Sequence, residues 1–312
     1  MSITTRELRR WFGAGRDRSI ALDGIDLDVE PGHVHGMLGP NGAGKTTLVK
    51  VLTTLLVPSA GQARVDGWDV VEQARQVRRR IGLVLGGERG LHDRLSAREN
   101  LRYAGVLHEL SRSEADRRAA MLLERVGLAE RADVAVEGFS RGMKQRVHLA
   151  RGLVGDPRVV FLDEPTTGLD PVAALAFRDL VGELAAEGRI VLLTTHDMAE
   201  AEAVCDRVSL LRDGLVLATE TPASLGRLVS HYERVDATVV DVAAARTALA
   251  RLVGADRVTE LGDRRLRVET DTGTTRAVLR ALVDLDVEAV TTSRPSLQEV
   301  YLHHFGDRGM RL

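Results

Sequence analysis

The chain has 312 residues, is 44% hydrophobic and 28% charged, and carries a formal net charge of -2. That balance, with only 3% aromatic residues, excludes a basic field or a base-stacking platform, so no nucleic acid partner is expected. One cysteine, Cys205, excludes an internal disulfide, and its neighbours Ala203, Val204 and Val208 mark it as a small core residue.

The N-terminal stretch Met1–Glu7 has no apolar h-region, and no run of about 18 apolar residues occurs, so neither a signal peptide nor a membrane span is expected. Ile25–Val29 and His33–Leu38 read as strands, Lys45–Leu56 as a helix closed by Pro58, and Gly82–Leu85 as a short strand. Arg98–His108 and Ser113–Val126 read as helices, the second opening on a capping box of Ser111 and Glu114. Ser140–Val154 reads as a helix ended by Gly155-Asp156-Pro157. Val159–Asp163 and Arg189–Thr195 are apolar enough for strands buried on both faces, with helices expected at Pro171–Ala186 and Met198–Val204. Val208–Arg212 and Leu215–Thr219 flank Asp213-Gly214, a hairpin signal. Alternation of strand and helix predicts an α/β domain with a largely parallel sheet over residues 1–220.

A linker is expected at 221–234, after which the pattern changes. Ala237–Val242 reads as a strand, Ala243–Leu252 as a helix, Arg257–Leu261 and Arg265–Glu269 as strands, Thr275–Val283 as a helix and Val287–Thr292 as a strand. The order β-α-β-β-α-β predicts a small ferredoxin-like α+β module over 235–312. A final helix opens at Pro295-Ser296, with Glu299 at capping-box spacing.

Gly39-Pro40-Asn41-Gly42-Ala43-Gly44-Lys45-Thr46 matches G-x4-G-K-[ST] between a strand and a helix, the context a phosphate-binding loop requires. Glycines let successive N–H groups curl inward around an anion, and the helix N-terminus adds unpaired donors. Lys45, one of only three lysines, reaches the β and γ phosphates of ATP, and Thr46 offers its hydroxyl to Mg²⁺, with Thr47 beside it. The apolar strand Val159–Leu162 ends in Asp163-Glu164, carboxylates whose exposure at a sheet edge suits a cation. Asp163 is the candidate Mg²⁺ ligand and Glu164 the candidate general base that polarises water. His196, at the end of the next buried strand, is the candidate γ-phosphate contact.

These pieces, in this order, resemble the ATP-binding cassette (ABC) ATPases. Phe139-Ser140-Arg141-Gly142-Met143-Lys144-Gln145-Arg146 stands where that family carries Leu-Ser-Gly-Gly-Gln, keeping Ser140 and Gly142 and replacing the others with Arg141 and Met143. The resemblance implies a P-loop fold with an antiparallel β subdomain and a helical subdomain. It also implies an ATP sandwich in which Ser140 and Gly142 of a second copy grip the nucleotide, and a D-loop at Thr166-Thr167-Gly168-Leu169-Asp170 crosses the dimer interface. Phe12 is the first choice for an adenine-stacking aromatic and Trp11 the second. The glutamine the family usually carries after Ile-Gly-x-Val-x is missing: Ile81-Gly82-Leu83-Val84-Leu85 is followed by Gly86-Gly87-Glu88, where Glu88 is the candidate substitute.

Pro295-Ser296-Leu297-Gln298-Glu299-Val300-Tyr301-Leu302 resembles the ending of the drug-export and sodium-export ABC ATPases. The resemblance implies an ATP-hydrolysing subunit on the cytoplasmic face of the cell membrane. It would energise a separate transmembrane permease, received in the helical insert Leu91–Val136 at about Leu95–Leu101 and exporting drug- or antibiotic-like compounds. Two alternatives stay open: a soluble single-cassette ATPase with a non-membrane partner, and a weakly hydrolysing regulatory subunit.

Overall fold

The computed structural model describes residues 2–86, 90–229, 232–271 and 273–293. It divides into two compact units, Met1–Thr221 and Pro222–Leu312.

The first unit opens on β1 (Ile3–Phe12) and β2 (Ser19–Val29), an antiparallel pair. The polar sequence of β1 hides it from a periodicity reading, and bulges break its register, with Glu7 at φ +47°. β3 (Val34–Leu38) follows, buried at every position, and leads into α1 (Lys45–Leu52). That helix is shorter than expected because Thr54 turns left-handed at φ +64°, and Leu55 and Leu56 both donate to the Lys50 carbonyl. β4 (Ala60–Val65) and the short β5 (Trp68–Asp69) join β1 and β2 in an antiparallel sheet of order β2-β1-β4-β5. α2 (Ala74–Arg78) precedes β6 (Ile81–Leu85).

A helical insert follows: α3 (Ala97–Leu107), α4 (Arg112–Arg125) and α5 (Arg141–Leu153). At Ser111 only the serine half of the expected capping box forms; the Glu114 carboxylate turns instead to Arg117 and Arg118, which hold it down to a pKa of about 2. The complete box is at Ser96 and Glu99, opening α3.

The chain then returns through β7 (Val159–Asp163), α6 (Pro171–Ala186), β8 (Ile190–Thr195), α7 (Met198–Val204), β9 (Arg207–Arg212) and β10 (Leu215–Glu220). The Asp213-Gly214 turn joins β9 to β10, both residues at positive φ. The second sheet has the order β10-β9-β3-β8-β7-β6, parallel except at β10. Every residue of β3, β7 and β8 is buried, as expected for central strands covered on both faces. A core that includes Ile3, Leu8, Ile25, Leu48, Leu52 and Phe161 joins the antiparallel sheet, α1 and the parallel sheet. Cys205 is buried, which pushes its thiol up to about 12, and its sulfur fills the space beside Gly36.

The second unit corrects the expected linker at 221–234. Those residues carry a helix, α8 (Pro222–Val229), and the start of a strand, β11 (Tyr232–Thr238). The strand expected at Ala237–Val242 therefore ends at Thr238, and Asp241 caps α9 (Val242–Val253) by accepting from the Ala244 amide. β12 (Val258–Gly262), β13 (Arg265–Asp271), α10 (Thr275–Asp284) and β14 (Ala289–Ser293) complete it. The sheet is antiparallel throughout, in the order β12-β13-β11-β14, over a core of Val235, Ala237, Leu249, Leu266, Val268 and Val278. The helix expected at Pro295–Leu302 lies outside the described residues. Among the described residues no helix is long and apolar enough to cross a membrane.

Candidate nucleotide-binding and hydrolysis site

Parallel pairing brings three strand ends to one edge. Leu38 pairs with Thr195 and Asp163 with Thr194, so the loop after β3, the carboxylates after β7 and the histidine after β8 converge.

The loop from Gly39 to Gly44 depends on two glycines whose replacement is blocked. A Cβ at Gly39 would stand 2.1 Å from the Leu211 carbonyl oxygen, and one at Gly44 would stand 2.4 Å from that of Ala21. Gly42 and Gly44 also adopt φ of +83° and +108°. Ala43 is buried and Asn41 exposed. The Ala43 amide donates to Pro40, and the Ala43 carbonyl accepts from Gly214. The α1 N-terminus has no side-chain cap, so its leading N–H groups remain directed at the loop.

Lys45 is buried, and its ammonium donates to the carbonyls of Gly39 (2.6 Å) and Pro40 (3.0 Å). It also lies 3.4 Å from Glu164 Oε1. The Thr46 hydroxyl donates to Asp163 Oδ1 at 3.2 Å, and the Thr194 hydroxyl donates to the same oxygen at 2.5 Å. Thr47 is half-buried on α1. Glu164 sits at φ +49°, and its amide donates to the Thr194 carbonyl and hydroxyl. A non-glycine residue in that region carries backbone strain. The turn aims the carboxylate back over the site: one oxygen faces Lys45, the other lies 3.3 Å from His196 Nδ1. A cation, two carboxylates, two hydroxyls and an imidazole thus meet at the mouth of a helix N-terminus, a chemistry suited to a phosphate, a divalent ion and a water.

Thr194 was not among the residues singled out from the sequence; the signal available was the run of two threonines inside an otherwise apolar strand. The missing glutamine acquires a physical reason. Gly86 donates to the Asp163 carbonyl at 2.7 Å, and a Cβ there would stand 2.5 Å from the Glu164 carbonyl oxygen. Glu88 lies outside the described residues.

Ser140, Gly142 and Asp170 form a second group. Exposed Ser140 caps α5 by accepting from the Met143 amide, and Asp170 caps α6 by accepting from Val172 and Ala173. The two helix starts touch: a Cβ at Gly142 would meet that of Ala173 at 2.9 Å, and one at Gly168 would run into the Arg141 guanidinium. Among the described residues no hydrogen bond or ion pair joins Ser140, Gly142 or Asp170 to Lys45, Asp163 or Glu164. At the end of β1, Phe12 is exposed with the Arg10 guanidinium 4.6 Å from its ring, whereas one face of half-buried Trp11 is covered by Arg18 at 3.7 Å.

The fold and this convergence define a P-loop ATPase of the ATP-binding cassette class. Residues 22–167 match the ABC transporter family. The Daunorubicin resistance ATP-binding protein DrrA3 of Streptomyces coeruleorubidus is 45% identical over 296 residues, 92% of each chain. The ABC transporter ATP-binding protein NatA of Bacillus subtilis (strain 168) is 42% identical over 231 residues, 74% of this chain and 92% of that one. A dimeric post-hydrolysis ATP-binding cassette bound to ADP and Pi aligns with a TM-score of 0.64 at 27% identity, over 70% of this chain and 98% of that chain. The ATP binding subunit of an ABC transporter aligns with a TM-score of 0.64 at 30% identity, over 73% and 93%. The chain belongs to the ABC transporter ATP-binding proteins: it binds ATP and is a transport ATPase.

Proposed function

We propose that this chain is the motor of a drug-type exporter, with the site residues in the following roles. The Gly39–Gly44 loop and Lys45 hold the triphosphate. Glu164 takes the proton of a water attacking the γ-phosphorus, a P–O bond forms as the bond to the β-phosphate oxygen breaks, and ADP leaves. His196 orients Glu164 and the γ-phosphate. Asp163 and Thr46 fit Mg²⁺, since they already bring a carboxylate and a hydroxyl oxygen to one point; bound there, the ion would neutralise phosphate charge. The observation that carries this reading is the Lys45–Glu164–His196 chain of contacts at the edge where the helix dipole points.

Ser140, Gly142 and Asp170 act on the nucleotide of a second copy, and Phe12, more open than Trp11, stacks on adenine. This is supported by the exposure of Ser140, Asp170 and Phe12. The β-α-β-β-α-β order and sheet order of the second unit support a ferredoxin-like accessory module.

The membrane partner is a separate permease, so the chain sits at the cytoplasmic face of the membrane. Supporting this is a cavity of about 560 Å³ lined by Leu55, Arg78, His92, Tyr103, Leu107 and Arg151, between the nucleotide sheet and the helical insert. Drug export is supported by the daunorubicin and doxorubicin resistance proteins among the relatives. Co-expression with a candidate permease tests the reading: the complex should co-purify and hydrolyse ATP with Mg²⁺, and drug efflux from vesicles should vanish with Lys45→Ala.

A further inference from the structure

Glu200 is a carboxylic acid that the hydrolysis scheme does not use, yet it is only 1% exposed. It lies in the first turn of α7, four residues after His196. The Thr166 hydroxyl, three residues after Asp163, donates to Glu200 Oε1 at 2.5 Å. The Glu200 amide donates to Asp197 Oδ1 at 3.2 Å, and Asp197 directly follows His196. Burial raises the Glu200 pKa, against the opposing pull of the Thr166 hydroxyl and of Arg178.

The placement has a consequence for geometry. Thr166 begins the loop that leaves Glu164 and runs to Asp170, and Thr195 is the backbone neighbour of His196. The Thr195 hydroxyl also accepts from the Asp197 amide at 2.9 Å, fixing the turn that carries the imidazole. The buried Glu200 carboxyl group therefore ties the loop after β7 to the start of α7, directly after the His196 turn, and these two segments hold the ends of the Glu164–His196 contact. Neither loop is tied to the other by a covalent bond, and an imidazole displaced by a fraction of an ångström would no longer meet Glu164 Oε2.

We propose that Glu200 is a positioning residue for ATP hydrolysis, holding the loops of Glu164 and His196 in register through the Thr166 hydroxyl on one side and the Asp197-capped start of α7 on the other. The proposal rests on the assignment of Glu164 and His196 above. It concerns turnover and not nucleotide affinity, because among the described residues no hydrogen bond joins the Glu200 or Thr166 side chain to the Gly39–Lys45 cradle. A glutamine retains the shape and the accepting oxygen that Thr166 uses, so charge is not required.

The test measures steady-state turnover and ATP affinity in the full-length chain with its permease. Glu200→Ala should lower kcat by on the order of ten- to a hundred-fold while the Kd for ATP stays within about twofold. Glu200→Gln should restore most of the turnover. Thr166→Val, a milder change that carries the test should Glu200→Ala fail to fold, should lower kcat likewise, and the Glu200→Gln/Thr166→Val pair should be no worse than Thr166→Val alone. Wild-type kcat in both Glu200→Ala and Thr166→Val, or a Glu200→Gln variant as slow as Glu200→Ala, overturns the proposal. A parallel Glu164→Gln control separates the two levels: if that substitution leaves turnover intact, the assignment of the base has failed, and not the role of Glu200.

Discussion

Lys45 Nζ lies 3.4 Å from Glu164 Oε1, so the residue assigned to phosphate and the residue assigned to water already face each other across the site. Glu164 needs a left-handed backbone to reach that position. Replacing it with glutamine keeps the size and removes the proposed base. Glu164→Gln should cut kcat by roughly a hundred-fold or more while retaining ATP binding and accumulating an ATP-bound dimer. Single-turnover kinetics and size-exclusion chromatography with ATP check both halves.

Gly39 and Gly44 are sterically locked by backbone carbonyls, which cannot swing aside as a side chain can. Gly39→Ala and Gly44→Ala should each destabilise the first unit by roughly 1–3 kcal/mol and weaken ATP binding. Gly42→Ala meets nothing within 4 Å and carries only its φ of +83°, so it should be the mildest of the three. Thermal melts and nucleotide titration of the three variants check the ranking.

Reinstating glutamine at the position where the family usually carries it should harm this chain. A Cβ at Gly86 would press on the backbone carbonyls of Asp163 (2.9 Å) and Glu164 (2.5 Å). Gly86→Gln and Gly86→Ala should therefore both lower turnover and cost about 1–3 kcal/mol of stability. A Gly86→Gln variant with faster turnover and an unchanged melting temperature would show that the loop accommodates the side chain.

His148, on α5, is fully buried with neither ring nitrogen hydrogen-bonded, and burial together with Arg151 and Lys144 lowers its pKa to about 4. The folded state therefore binds this proton more weakly than the unfolded chain, whose histidine titrates near 6.5. Its contribution is fully present above about 6.5, declines as pH falls, and is lost below about 4, a difference of about 3 kcal/mol at most. His35, also lowered to about 4 by burial and Arg207, acts in the same direction. Urea unfolding of wild type and His148→Leu from pH 7 to pH 4 checks this: the variant should lose less stability on acidification.

The phosphate loop, the Asp163-Glu164 pair and His196 were legible in the sequence because each stands at the end of an apolar strand, where local chemistry announces itself. The register that brings those strand ends together was legible only as a consequence of a parallel sheet. β1 was not legible, since its stretch of polar residues lacks clean alternation and its bulges interrupt the period. The helix and strand inside the expected linker at 221–234 escaped because its serine, glycine and charged residues resemble a loop. Thr194 and Glu200 escaped for a different reason: their roles come from partners about 30 residues away, Asp163 and Thr166, which no local pattern reveals.

Mg²⁺-dependent ATP turnover by the chain in complex with its permease, compared between wild type and Lys45→Ala, bears most directly on the central claim. The account expects steady release of phosphate from wild type and none above background from Lys45→Ala, with ATP binding lost in parallel. Equal turnover in the two, or ATP binding indifferent to the loss of that ammonium, would contradict it.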